Sequence, residues 1–312
     1  MRELNKSERK VLSVLEENCR MPSSQIAKRV NLSSEGVIKI INRLIERNII
    51  SKFGAKLNYS RVGYTLYTVH IKLTKLNKII TQKIKKIILK HKVCVWHNFT
   101  EGEYDLLLSI RIVTKEDKQD MSNLLLLELS GYILEKEVGI VTKGFAIAKS
   151  FLDKPRINKL FTIMDETVEP LNLSEQEKRL IDLIKKNSRE SVLILAEKLK
   201  TSPKTIISKI KKFKNEGIIS GFNLELNMAE LGYHPIIALI SLGKYSEEEY
   251  NQLLKYFQSH GNISHFIRKI AKYDIELTFN VKNTKDFYEL IEEIRNKFSF
   301  IKKISTLIRK WD

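Results

Sequence analysis

The stretch "NIISKFGAKLNYSRVGY" at 48–64 returns as "GIISGFNLELNMAELGY" at 217–233, an offset of 169 residues. Residues 4–64 slide onto 173–233 without a gap, pairing Leu4 with Leu173, Glu8 with Glu177, Arg20 with Arg189, Ala27 with Ala196, Ser33 with Ser202, Ile41 with Ile210 and Phe53 with Phe222. Further on, the same offset pairs His91 with His260 and "EYD" at 103–105 with "KYD" at 272–274. Solenoid periods run to about 20–50 residues, so the chain reads as a tandem duplication of one larger two-part unit. The Pro-containing "DKPRINKLFTIMDETVEP" reads as the linker between copies.

The first sixty residues of each unit have helical periodicity. Asn5 and Ser174 stand where N-caps belong, ahead of apolar Val11, Leu12 and Leu15 in copy one and Leu180, Ile181 and Ile184 in copy two. A short second helix runs through "SSQIAKRV" and "VLILAEKL". A third begins at Ser33 or Ser202, with Pro203 at a first helical position. The buried stripe of the third helix is Val37, Ile41 and Leu44, or Ile206, Ile210 and Phe213. Its other face is polar: Ser34, Lys39, Asn42 and Arg43 in copy one, and Lys204, Thr205, Ser208, Lys209, Lys211 and Lys212 in copy two. Three short helices, followed by Asn48 or Gly217 and "II" leading into an expected hairpin, describe a winged helix-turn-helix. Such a third helix fits the major groove of double-stranded DNA, where Ser, Thr, Asn and Lys reach base edges and flanking cations hold phosphates.

After Gly63 and Gly232 the order becomes strand, helix, strand, strand, helix, strand, from "YTLYTVHIKL" to "EKEVGIVTKGFAIA" in copy one. That order is the split β-α-β motif of a ferredoxin-like fold, with one sheet face on the helices and the other open to a second sheet. The expected class is α+β, two copies of a winged helix-turn-helix followed by a βαββαβ domain. The boundaries are 1–62, 63–150, a linker at 151–172, 173–231 and 232–312.

A net charge of +18 from 55 basic and 37 acidic residues fits a polyanionic partner. No apolar run reaches the roughly 20 residues of a membrane helix, and "MRELNKSERKVLSVLEENCR" lacks a secretory h-region. Two cysteines, Cys19 and Cys94, do not make a disulfide framework. A cytoplasmic protein without a membrane partner is expected.

The third helices "LSSEGVIKIINRLIERNII" and "TSPKTIISKIKKFKNEGII", the "LNYSRVGY" and "LNMAELGY" stretches, and "GEYDLLLSI" together resemble the Lrp/AsnC family of transcriptional regulators, in the archaeal form where two units are fused. The resemblance implies a DNA-binding regulator, a homo-oligomer or an intramolecular pseudo-dimer, and an amino acid or similar effector near the loop Thr100, Gly102, Tyr104 and Asp105. Copy one departs from the family pattern at Ile40 and Asn48, where copy two keeps Lys209 and Gly217. Weaker DNA contact by copy one is therefore expected, with the lysines of copy two dominating the electrostatics.

Siroheme decarboxylases are built on a similar unit, and His97, Asn98 and Phe99 resemble one of their motifs. The following Thr100, Glu101, Gly102 and Glu103 replace basic and histidine residues and would repel a tetrapyrrole's carboxylates. His91, Cys94 and His97 have the spacing of a metal triplet, but strand alternation sends Cys94 and His97 to opposite faces. The reading is of no catalytic residues, no metal and no cofactor.

Overall fold

The computed structural model describes residues 3–148 and 159–310. Each unit opens with three helices: α1 (Lys6–Glu17), α2 (Ser23–Val30) and α3 (Ser34–Glu46) in copy one, matched by α6 (Glu175–Lys186), α7 (Val192–Lys198) and α8 (Pro203–Asn215) in copy two. Their starts follow from local chemistry. Asn5 and Ser174 each form a capping box with Glu8 or Glu177, and the Ser33 and Ser202 hydroxyls accept from the Gly36 and Thr205 amides. The expected stripes Val37, Ile41, Leu44 and Ile206, Ile210, Phe213 are all buried, and the two helical units share one apolar core.

The expected hairpin is absent. A single strand follows each third helix, β1 (Ile50–Leu57) in copy one and β7 (Ile219–Leu226) in copy two, and the two pair antiparallel with Gly54 opposite Asn223. Neither stretch holds the two-residue turn a tight hairpin needs; after β1 the chain makes a 3-10 turn at Ser60–Val62. Each strand instead satisfies its ladder with its counterpart. Gly54 and Asn223 are equivalent under the repeat, so the pairing is centred on a pseudo-twofold axis. Asn48 and Gly217 both sit at positive φ, 54° and 70°. Asn is among the few residues that tolerate this conformation, so the departure at Asn48 leaves the backbone path unchanged.

The second part of copy one runs β2 (Thr65–Leu73), α4 (Lys78–Ile88), β3 (Cys94–Glu101), β4 (Leu106–Ile112), α5 (Lys115–Ser122) with a π-helical extension Asn123–Glu128, and β5 (Ile133–Ile147). Strand β6 (Leu160–Asp165) follows. Copy two supplies β8 (His234–Leu242), α9 (Glu247–Ser259), β9 (Ile263–Ile270), β10 (Ile275–Val281), α10 (Thr284–Lys297) and β11 (Ile301–Arg309). Within each copy the strands order as fourth, first, third, second, the ferredoxin-like arrangement. The copies then join edge to edge: β5 pairs with both β2 and β9, and β3 with β11, so the two sheets close into a ring. The facing sheets bury Tyr104, Leu107, Ile237, Leu239, Tyr273 and Leu307 between them.

Residues 151–158 of the expected linker lie outside the described residues. The remainder contains β6, which pairs with β5 from Lys143 to Ile147. Phe161 is fully buried, and a Cβ on Gly221 would overlap its ring. The Tyr59 amide donates to the Ile163 carbonyl at 2.7 Å. This strand braces the joint between helical and sheet layers.

Candidate nucleic-acid interface

Because α3 and α8 bury one stripe each in the shared core, their opposite faces are held outward on one common base. Ser34, Lys39, Asn42 and Arg43 are exposed in copy one, as are Lys204, Ser208, Lys211 and Lys212 in copy two, with Thr205 and Lys209 half-buried. Ile38 and Ile207, equivalent under the repeat, are 46% and 57% exposed on the same helices. Sequence patterning missed them, because an isoleucine one residue after the buried Val37 or Ile206 looks like core.

The cations are not equally available. Lys212 Nζ lies 2.9 Å from Glu177 Oε1, and Lys209 Nζ donates to Gln176 Oε1 at 2.6 Å. In copy one, Arg47 Nη1 is 3.0 Å and Arg43 Nη1 3.9 Å from Glu8 Oε1. The glutamates that cap α1 and α6 thus also anchor the far ends of α3 and α8. Burial alone would raise the Glu177 carboxyl, but Lys212 and Ser174 hold it below the usual carboxylate range. Lys39, Lys204 and Lys211 are exposed with no side-chain partner among the described residues.

The two helical units clasp one another around the pseudo-axis. Arg20 donates to the Ser188 and Glu190 carbonyls, and Arg189 donates to those of Cys19 and Met21. Arg20 and Arg189 matched in the repeat, but nothing in the sequence assigned them to this contact.

Around the copy-one loop the polar groups are used internally. Thr100 Oγ1 donates to the Tyr104 carbonyl at 2.7 Å, and Tyr104 Oη to Glu137 Oε2 at 2.5 Å. Asp105 accepts from Lys72 Nζ and the Leu73 amide, both at 3.0 Å. Asp274 repeats this in copy two by accepting from the Leu242 amide at 2.7 Å. Thr100, Tyr104 and Asp105 are buried, while Gly102 is exposed with φ 139° and packs against β11. His91 sits between Asp120 and Glu128, at 2.7 and 2.9 Å, away from any triplet with Cys94 and His97. Among the described residues no group of three or more His, Cys, Asp or Glu is arranged to hold a metal. No helix there is long and apolar enough to cross a membrane.

A winged helix-turn-helix DNA-binding family model matches residues 4–51 and again 173–220, the two helical units. An uncharacterized HTH-type transcriptional regulator of Pyrococcus furiosus is 34% identical over 117 residues, covering 37% of this chain and 76% of the relative. The HTH-type transcriptional regulator LysM of Sulfurisphaera tokodaii is 31% identical over 111 residues, covering 36% and 76%. LrpC of Bacillus subtilis is 26% identical over 129 residues, covering 41% and 85%. Each relative is thus matched largely by one unit's length. Over both units, the crystal structure of the siroheme decarboxylase NirDL shares the fold at a TM-score of 0.62 with 16% identity, covering 98% of this chain and 91% of that one. That likeness is one of architecture. Two matched helix-turn-helix units on one core, with regulators as relatives, place the chain in the Lrp/AsnC family of transcriptional regulators, with the family's two-part unit present twice.

Proposed function

We propose that this protein regulates transcription by laying α3 and α8 into the major groove of double-stranded DNA, two unlike recognition surfaces on one chain, and that it has no catalytic activity. The observation that carries the reading is the paired outward faces on a shared core. Ser34, Asn42, Thr205 and Ser208 are the groups for base edges, and Lys39, Arg43, Lys204 and Lys211 for phosphates. Exposed Ile38 and Ile207 suit the methyl group of thymine. Lys209 and Lys212 belong mainly to the scaffold, since each is tied to α6. Such a regulator acts in the cytoplasm.

An amino-acid-sized effector at the copy-one loop is the finer reading, supported by the family resemblance. With Thr100, Tyr104 and Asp105 buried and bonded, its accessible point of entry is Gly102. A thermal-shift screen of amino acids tests it, since a ligand that binds only the folded state raises its stability. A stabilising ligand whose effect survives Asp105→Ala and vanishes with Asp274→Ala would move the site to copy two.

The decarboxylase reading shares the fold but not the local chemistry. Glu103 draws Lys272 to 2.6 Å and Lys303 to 3.7 Å, and Glu101 draws Lys310 to 2.8 Å. These cations are already paired and are poorly placed to take a polycarboxylate. Duplex DNA affinity measured from low to moderate salt separates the two. A regulator loses affinity steeply as counterions compete for phosphate. A flat response, together with a new visible absorbance band on adding siroheme, would establish the enzyme instead.

A further inference from the structure

We infer that the contact between the two halves selects its partner: a copy-one sheet fits a copy-two sheet and is incompatible with a second sheet of its own kind, so like halves of two chains do not pair. This stands on the inter-half geometry and is independent of DNA binding.

Positions 103 and 272 are equivalent under the repeat, and they touch: Lys272 Nζ is 2.6 Å from Glu103 Oε1. A contact between equivalent residues lies on the pseudo-twofold axis. If like halves of two chains paired, Glu103 would meet Glu103, or Lys272 would meet Lys272. The surroundings deepen the mismatch. Ser305 donates to Glu103 Oε2 at 2.8 Å. Strand register makes Glu137 the copy-one counterpart of Ser305, since His70 lies opposite Glu137 as Leu239 lies opposite Ser305. A copy-one pair would therefore gather four carboxylates where the observed contact balances Glu103 with Lys272.

Shape discriminates in the other direction. Gly102 abuts β11 so closely that a Cβ there would stand 2.7 Å from the Thr306 carbonyl oxygen and 2.8 Å from Leu307 Cδ2. Its copy-two equivalent is Ala271, which fits only because it faces Gly139, the counterpart of Leu307; a Cβ on Gly139 would stand 2.7 Å from that of Ala271. Each seam contains one glycine. A copy-two pair would set Ala271 against Leu307 at both seams, a clash with backbone as well as side chain. A copy-one pair would set Gly102 against Gly139 and leave both seams underfilled.

The buried polar cluster is likewise shared across the contact. His70 Nε2, Lys269 Nζ and Glu276 Oε2 lie within 3.0–3.2 Å of one another, and their counterparts are Leu239, Thr100 and Leu107. Only unlike halves bring the imidazole to the ion pair. These are devices of specificity acting against the wrong partner as well as for the right one.

A built-in reporter exists. Cys19 Sγ lies 3.2 Å from Ser188 Oγ, again equivalent positions on the axis. Copy-one halves of two chains, paired alike, would bring Cys19 to Cys19. The test is to refold the full-length Cys94→Ser chain at high concentration with oxidised glutathione and to run it on a non-reducing gel. No covalent dimer is expected, whereas adding Ser188→Cys should give a bond within one chain, seen as a faster-migrating monomer without free thiol. A cross-chain dimer from the Cys94→Ser chain overturns the inference, as does failure of the within-chain bond. Combining Glu103→Gln, Lys272→Gln and Ala271→Gly in the Cys94→Ser background should make a cross-chain dimer appear on the same gel; a folded variant with none overturns it. Should that variant not fold, Glu103→Lys with Lys272→Glu decides. The exchanged pair must refold as a monomer without cross-chain bonds, and either failure overturns the inference.

Discussion

Glu8 and Glu177 show how one side chain sets both a helix start and the surface proposed to meet DNA. Each closes a capping box, and each also holds a cation toward the end of its unit's third helix. The cap was legible in the sequence, because Asn5 and Ser174 stand three residues before a glutamate. The second role was not, because Glu177 and Lys212 are 35 residues apart and meet only once α8 packs on α6. Of the copy-two lysines expected to dominate the electrostatics, Lys209 and Lys212 are tied to α6, which leaves Lys204 and Lys211 as the proposed phosphate contacts. The pair Lys204→Ala and Lys211→Ala should lower the slope of log affinity against log salt by about two, one for each phosphate left without its lysine. Lys209→Ala with Lys212→Ala should change the slope less and the thermal stability more. Equal slopes for the two pairs would contradict this division.

Protons report on the inter-half contact at the same scale. Burial opposes ionisation of Glu103, but hydrogen bonds from Lys272, Tyr273 and Ser305 bring its carboxyl to about 2; Glu276, buried beside Lys269 and His70, is also brought to about 2. Both values lie below the ordinary carboxylate near about 4.3, so their stabilisation is complete above that value and is lost as pH falls through it toward 2. Burial, then Lys269, also depresses His70. The unfolded chain therefore takes up a proton first, and stability begins to decline below about pH 6.5. Melting temperatures should fall from pH 7 to pH 3, and Glu103→Gln should make the decline below about pH 5 shallower. An unchanged pH dependence in that variant would exclude Glu103 as a contributor.

Among the elements, the helices were the most legible, since 3.6-residue periodicity and caps are local signals. Ser202→Ala should cost about 1 kcal/mol, read from denaturant midpoints at unchanged slope. The βαββαβ order was equally plain from alternation and the two Gly boundaries. The single strands β1 and β7 were not, because "IISKFGAKL" looks the same whether its partner is its own hairpin or the other copy. Strand β6 was hidden by Pro155 and the charges around it, which marked a linker. Its burial makes a strong expectation: Phe161→Ala should destabilise the chain by about 3–5 kcal/mol, and Gly221→Val should lower the melting temperature because its side chain has no room beside that ring. A variant at either position as stable as the parent would show β6 to be dispensable.

At the scale of the whole molecule, duplication was readable from the fixed 169-residue offset, and its consequence was half readable. Two copies imply a pseudo-twofold; ring closure of their sheets depends on edge pairings such as Ile140 with Ile270 and Ile308 with Glu101, which no local pattern encodes. The divergence between copies gains its meaning only there. Glu103 and Lys272 look like drift in the sequence and form one contact on the axis in the fold. On the proposed reading, α3 and α8 meet DNA as one asymmetric pair. The most direct measurement is selection of bound duplexes from a random pool by the full-length protein at moderate salt. We expect an enriched bipartite motif whose two halves differ in sequence and keep a fixed order and spacing. A pool that shows no enrichment would contradict DNA recognition by this chain, and a perfect palindrome would contradict two unlike reading surfaces.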